Sequence, residues 1–278
     1  MSAAEALHRR TRDTLDGLGV RPRRRLGQNF LVASPVVERI IAVAGVAGKT
    51  VVEIGPGVGA LSDALAAVAG ELLLVEIDPR MAQRLAERYA PFAHVRVVTG
   101  DALDVDFNAL LAGRERAIAI GNLPYSVGTV ILARLLESRA RFERLVLMLQ
   151  REVAERLVAA PGTKPYGAMT VLTALYGEAR IVLRVSPGAF VPRPKVDSAV
   201  VSIAVATAPR AGVADAKRFR EIVRRAFGQR RKTLRAALAA VATAADIERA
   251  GIDPRRRGET LSLDEFATLA NVLGERSR

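Results

Sequence analysis

Cysteine and tryptophan are missing from this 278-residue chain, and His8 and His94 are the only histidines. Without a thiol there is no disulfide, no thiolate zinc site and no cysteine nucleophile. Two imidazoles also disfavour a histidine-rich metal centre and most Ser-His chemistry, so no metal is expected. Long hydrophobic runs are lacking as well. The longest stretch without a charge, 117–133, is broken by Gly121, Asn122, Pro124 and Gly128 and does not suit a membrane span. No apolar core stands before a cleavage signal near the N-terminus, so a secretory leader is not expected and a cytoplasmic location is.

What is present points to a folded protein with a polyanionic partner. Half of the residues are hydrophobic, enough for a core and too many for a disordered chain. The net charge is +13 and it is unevenly placed. Residues 1–30 hold seven Arg against three acids, and residues 217–235 hold nine Lys or Arg against one Glu. The rest is close to neutral. A charge run is often only a solvated face, but two concentrated blocks beside a neutral body favour nucleic acid.

From residue 34 to about 150, helical stretches alternate with short apolar runs. Ser34-Pro35 reads as a cap with proline in the first turn of a helix to residue 44. Strands are expected at 50–54, 71–77, 94–99, 116–120 and 144–149, with helices at 60–69, 78–89 and 126–137 between them. Near-continuous apolar strands separated by helices predict an α/β fold with a mostly parallel sheet covered on both faces. Beyond Tyr166 a helix at 167–176 and strands at 179–185 and 198–206 are expected. The proline-rich 186–194 reads as a loop. From residue 213 the pattern is helical and amphipathic. The expected division is a basic extension at 1–21, an α/β domain at 22–207 and a small helical RNA-binding domain at 213–278.

Three successive strand ends carry residues suited to a nucleotide-like ligand. Glu53-Ile-Gly-Pro-Gly-Val-Gly59 ends the first strand and opens a helix, so a ligand could approach the backbone at Gly55 and Gly57. The spacing departs from G-x-G-x-x-G, and a tight strand–helix turn without a ligand is the alternative. Glu76 ends the second strand, where a carboxylate can accept both hydroxyls of a ribose. Asp78 before Pro79 reads as a helix cap. Asp101 could accept from an adenine amino group, and reads equally as a cap or turn residue. The fourth strand runs into Gly121-Asn-Leu-Pro-Tyr125. Its Asn122 amide oxygen, Leu123 carbonyl and Tyr125 ring suit a planar amino group on a base.

The glycine loop resembles the cofactor motif of class I, Rossmann-like S-adenosylmethionine-dependent methyltransferases. Asn122-Leu-Pro-Tyr125 resembles the signature of amino-methyltransferases acting on adenine. Leu26-Gly-Gln-Asn-Phe-Leu31, Phe190-Val-Pro-Arg-Pro-Lys-Val-Asp-Ser198 and Phe227-Gly-Gln-Arg-Arg-Lys-Thr-Leu234 complete a series in the order of one family. Over roughly residues 22–272 the chain resembles the bacterial small-subunit rRNA adenine dimethyltransferases, the KsgA/RsmA family. The resemblance implies S-adenosyl-L-methionine as cofactor and 16S rRNA of the immature 30S subunit as partner. It implies methylation of the 6-amino groups of two adjacent adenines near the 3′ end. Asn29, Leu31, Gly55, Gly57, Glu76, Asp101 and Asn122 would line the cofactor site. Asn122, Leu123, Tyr125 and Phe190 would hold the target base. Arg224, Arg225, Arg230, Arg231 and Lys232 would contact RNA. Large-subunit rRNA methyltransferases of the macrolide-resistance type share the cofactor motifs and are the nearest alternative. A non-catalytic assembly or transcription factor of the same fold is another.

Overall fold

The structure is a computed structural model, and it describes residues 3–17 and 29–275. Leu26, Gly27 and Gln28 of the first motif lie outside the described residues, as do residues 1, 2 and 18–21 of the extension. A helix, α1 (Ala3–Gly17), comes first, followed by the short strand β1 (Phe30–Leu31). The alternating region then runs α2 (Ser34–Ala44), β2 (Thr50–Ile54), α3 (Ser62–Ala66), β3 (Glu71–Glu76), α4 (Pro79–Tyr89) and β4 (Val95–Thr99). It continues with α5 (Phe107–Leu110), β5 (Ala117–Asn122), α6 (Gly128–Glu137), β6 (Phe142–Gln150) and α7 (Arg151–Leu157). After α8 (Ala168–Tyr176) come β7 (Gly177–Val185), β8 (Phe190–Val191) and β9 (Ser198–Val205). The chain closes with α9 (Ala216–Gly228), α10 (Leu234–Ala237), α11 (Ala244–Arg249) and α12 (Leu263–Glu275).

Seven strands form one sheet in the order β4-β3-β2-β5-β6-β9-β7. The pairs from β4 through β6 are parallel, and β9 runs antiparallel to β6. The mostly parallel α/β sheet expected from the apolar runs is therefore present. Its central strands are sealed on both faces: Val51, Val52, Leu72, Leu73, Leu74, Ala117 and Ala119 have no exposed surface. That is why these strands read as unbroken apolar runs rather than alternating ones. On α4, Met81, Ala82, Leu85 and Tyr89 are buried, and the helix packs on β3 and β4. Asp78 caps α4 by accepting from the Arg80 N–H at 3.0 Å. Ser34 is not a cap, because that position falls to Ala33 and Ser34 is the first residue of α2.

The chain divides into two compact units, Met1–Ala154 with Arg180–Val205, and Glu155–Ala179 with Ala206–Arg278. The expected linear split into 22–207 and 213–278 is thereby corrected. Residues 155–179 join the C-terminal unit because their apolar groups are buried there. The Tyr166 hydroxyl donates to Leu261 O at 2.7 Å. Its ring lies 5.8 Å from that of Phe227, which lies 5.9 Å from Phe266. Helix α8 packs on α9 and α12. Among the described residues no helix is long and apolar enough to cross a membrane.

Two further differences bear on the site. The segment 186–194, expected as a loop, contains β8, which pairs antiparallel with β1: Phe30 faces Val191 and Leu31 faces Phe190. Strand β5 runs two residues beyond the expected end, to Asn122. Gly121 permits this, since a Cβ there would meet Ile54 O of the neighbouring strand at 2.8 Å.

Candidate active site

In the first unit, the carboxyl ends of β2, β3 and β5 open into one cavity. It is lined by Asn29, Phe30 and Leu31, by Glu53 and the glycine loop, by Glu76, Ile77 and Met81, and by Asn122 through Tyr125. Asn29, Phe30 and Leu31 of the N-terminal motif, the glycine loop, the acidic strand end and the Asn-Leu-Pro-Tyr loop thus share one lining. Gly57 has φ +56°, and a Cβ on it would stand 3.0 Å from the Phe30 ring. The loop therefore needs glycine both for its backbone and for the close approach of β1.

Glu76 is 3% exposed and holds this loop in shape. Its Oε2 accepts from the Gly57 N–H and its Oε1 from the Asp78 N–H, each at 2.9 Å. Burial raises its pKa above the usual carboxyl value, while the two N–H donors oppose the rise. Glu53, 2% exposed, sits deeper. Ser62 Oγ donates to its Oε2 at 2.6 Å. Burial pushes the Glu53 pKa up to about 8, with Asp63 and Glu76 adding to the rise and Ser62 opposing it. At neutral pH this side chain carries its proton.

On the Asn-Leu-Pro-Tyr side, Asn122 Nδ2 donates to Asn29 O at 2.7 Å. This bond fixes the amide with its nitrogen committed to the protein and its oxygen available as an acceptor. The Tyr125 hydroxyl lies 2.6 Å from the Oγ of fully buried Ser198, so the ring is tied to the start of β9. Partial burial raises the Tyr125 pKa, with Ser198 opposing, which keeps the phenol neutral. The Leu123 N–H donates to Met148 O at 3.2 Å, anchoring the loop to β6.

Two expected site residues stand elsewhere. Asp101 does not line the cavity, and its Oδ1 accepts from the Leu103 N–H at 2.9 Å, the local turn bond that was the other reading of this residue. Phe190 is only 1% exposed and belongs to the core with Leu31, its partner across β1 and β8. It offers no open ring to a base. Of the basic residues, Arg225 pairs with Glu221 at 2.9 Å. Arg230 pairs with Glu259 at 2.7 Å and donates to Lys164 O at 2.5 Å. Arg224, Arg231 and Lys232 are exposed and have no ion pair among the described residues.

The structure also adds residues. Glu53 was read only as the head of the glycine motif, and nothing in the spacing marks Ser62 as its partner. Ile77 is 55% exposed beside Glu76, and with Met81 gives the cavity an apolar side. Helix α1 reaches the site indirectly, because Leu15 packs with Phe30, Val58 and Met81, all of which line the cavity. Its signal was the helical spacing of Leu7, Thr11, Thr14 and Leu15.

The profile of the family described as "Ribosomal RNA adenine dimethylase" matches residues 19–275. The chain is 46% identical over 269 residues to the "Ribosomal RNA small subunit methyltransferase A" of Moorella thermoacetica, covering 92% of this chain and 93% of that one. It is 45% identical to the protein of the same name from Geobacter sulfurreducens, covering 92% and 97%. Among solved structures it resembles a dimethyladenosine transferase from Plasmodium falciparum (TM-score 0.76, 23% identity, 89% of this chain and 98% of that one). It also resembles the 23S rRNA methyltransferase ErmE (TM-score 0.68, 27% identity, 88% and 100%). The fold is that of class I methyltransferases, and the chain belongs to the ribosomal RNA adenine dimethylase family.

Proposed function

We propose that this protein dimethylates the 6-amino groups of two adjacent adenines in the 3′-terminal hairpin loop of 16S rRNA, in immature 30S particles, using S-adenosylmethionine. One observation carries the reading. The glycine loop with Glu76 and the Asn122–Tyr125 loop line the same cavity, so a cofactor loop and an amine-binding loop open on one space.

The lining fits the cofactor. Gly55 leaves its Cβ space free, and Glu76, already oriented by two N–H donors, keeps lone pairs for ribose hydroxyls. Ile77 and Met81 offer apolar surface to a flat ring. Asn29, Leu31 and Gly55 would complete the wall. When bound, S-adenosylmethionine supplies a methyl carbon activated by its sulfonium.

The chain's own residues then position the acceptor. Asn122 Oδ1 and the Leu123 carbonyl accept the two N–H bonds of the adenine amine, favouring a pyramidal nitrogen with its lone pair free. The Tyr125 ring, held through Ser198, stacks on the base. Alignment rather than acid–base chemistry is the main contribution. Held by Asn122 and Leu123, the amine nitrogen would present its lone pair to the methyl group that S-adenosylmethionine would supply. The cationic product is acidic enough to give its proton to water. A base in this position must leave its stack. In the second unit, Arg224, Arg231 and Lys232 would contact RNA phosphates, with Arg225 and Arg230 held by acids.

Incubating the protein with methyl-labelled S-adenosylmethionine and unmethylated 30S or 50S subunits, then mapping the label, tests the reading. Dimethyladenosine at two adjacent 16S positions is expected. Label on 23S rRNA, or none, overturns it.

A further inference from the structure

The matching family profile begins at residue 19, so α1 precedes it, although α1 carries part of the N-terminal positive charge. The helix is fixed to the first unit. Leu7, Thr11, Thr14 and Leu15 are buried. Arg10 pairs with Asp63 at 2.5 Å, and Arg84 Nη2 donates to the Thr14 hydroxyl at 3.3 Å.

Held there, α1 forms one wall of a groove. His8 and Arg12 line it from the helix, Val32 follows β1, and Gly188, Phe190 and Arg193 come from the segment around β8. Arg12 and Arg193 are exposed, and neither has an ion pair among the described residues. His8 Nε2 is shielded from water and has no hydrogen-bond partner among the described residues. No carboxylate lines the groove. Two guanidinium groups in a concave, acid-free lining select an anion with several acceptor oxygens.

The position of the groove argues for which anion. Val32 follows the β1–β8 pair at one end, and at the other Val191 of the groove stands opposite Phe30, which with Asn29 lines the cavity described above. That pair spans roughly 7 Å at two residues per strand. An RNA strand that delivers a base to the cavity therefore runs its backbone close to the groove. We propose that this groove binds a backbone phosphate of the RNA strand beside the target adenine. Arg12 and Arg193 pair with its oxygens. The inference rests on the rRNA reading above and adds a phosphate contact in the first unit, formed by a helix outside the family match.

Binding of unmethylated 30S subunits by the wild-type protein and by the Arg12→Gln/Arg193→Gln variant, titrated at several salt concentrations, tests it. The variant is expected to bind several-fold more weakly. Its slope of log K against log salt should be shallower by about 0.7–0.9 for each lost contact. The Arg12→Lys/Arg193→Lys variant is expected to keep the wild-type slope. Calorimetric affinity for S-adenosylmethionine and the thermal melt are expected to stay at wild-type values in both. Unchanged affinity and slope would overturn the proposal, and weaker binding with an unchanged slope would point to a protein contact and overturn it as well. If the wild-type protein neither binds nor methylates 30S subunits, the rRNA reading falls and the groove with it. If the wild type methylates and the variants titrate like it, the groove alone falls.

Discussion

The cavity of the first unit and the basic block of the second treat charge in opposite ways. The cavity buries two carboxyl groups, Glu53 and Glu76, and partners them with a hydroxyl and two backbone N–H groups. The basic block keeps its cations at the surface and engages Arg225 and Arg230 with Glu221 and Glu259 of the same unit. Burying a carboxyl beside neutral donors costs free energy and shifts its pKa, an expense typical of binding sites. Surface pairs cost little and stabilise little. Sequence proximity of positive charges therefore says less about function than the environment of two acids 23 residues apart.

The sharpest way to break this contrast is at the Asn122 amide. Asn122→Ala should lower methyl transfer to unmethylated 30S subunits by on the order of 10²–10³-fold at saturating cofactor, as expected for loss of a polar group that acts mainly in the transition state. The thermal melt should move little. A folded variant working at the wild-type rate would remove Asn122 from the chemistry.

Glu53 separates the buried acids from each other. The unfolded chain ionises this carboxyl near 4.5, whereas the folded protein keeps its proton up to about 8. Between those values the unfolded state binds fewer protons, so stability falls as pH rises and levels off above about 8. Glu53→Gln removes that loss. Its stability relative to wild type should improve by up to roughly 1.4 kcal/mol per pH unit across the window. Melts from pH 5 to 9 measure this, and parallel curves for the two proteins would contradict the buried neutral carboxyl.

Glu76→Ala should raise the S-adenosylmethionine dissociation constant about tenfold or more, from the loss of hydrogen bonds to a charged acceptor worth roughly 1.5–3 kcal/mol each. Part of the effect comes through the Gly57 N–H, which loses its acceptor. Calorimetric titration checks it, and an unchanged constant would exclude a ribose contact.

The smallest effects divide the basic block. Replacing Arg231 and Lys232 by Gln should weaken 30S binding and flatten its salt dependence by about 0.7–0.9 per lost phosphate contact. Arg230→Gln should leave the slope nearly unchanged and lower stability by about 0.2–1 kcal/mol, the range of an exposed ion pair. Equal slopes for the two variants would erase the distinction drawn from the Glu259 pair.

Much of the first unit was legible because a parallel sheet buries both faces and leaves apolar runs that spacing alone reveals. The glycine loop, Glu76 and Asn122–Tyr125 were legible for a related reason: ligands lie at strand ends, and these motifs end β2, β3 and β5. Asp101 shows the limit. Its position at a strand end suited the adenine role, yet its carboxylate closes a local turn. Phe190 shows another, since a phenylalanine in a proline-rich loop reads as available whereas strand pairing buries it.

The sequence by itself determined the elements, the order of the strand-end motifs and the placement of charge, because periodicity, caps and glycine requirements act between residues close in the chain. Tertiary structure decided what depends on residues far apart. It paired β1 with β8 across about 160 residues and turned Glu53 into a proton-holding acid through Ser62 and burial. It gathered 155–179 into the second unit, and it tied Arg230 to Glu259 while leaving Arg231 and Lys232 exposed. Burial and partner choice are set by which surfaces meet, and no local pattern encodes that.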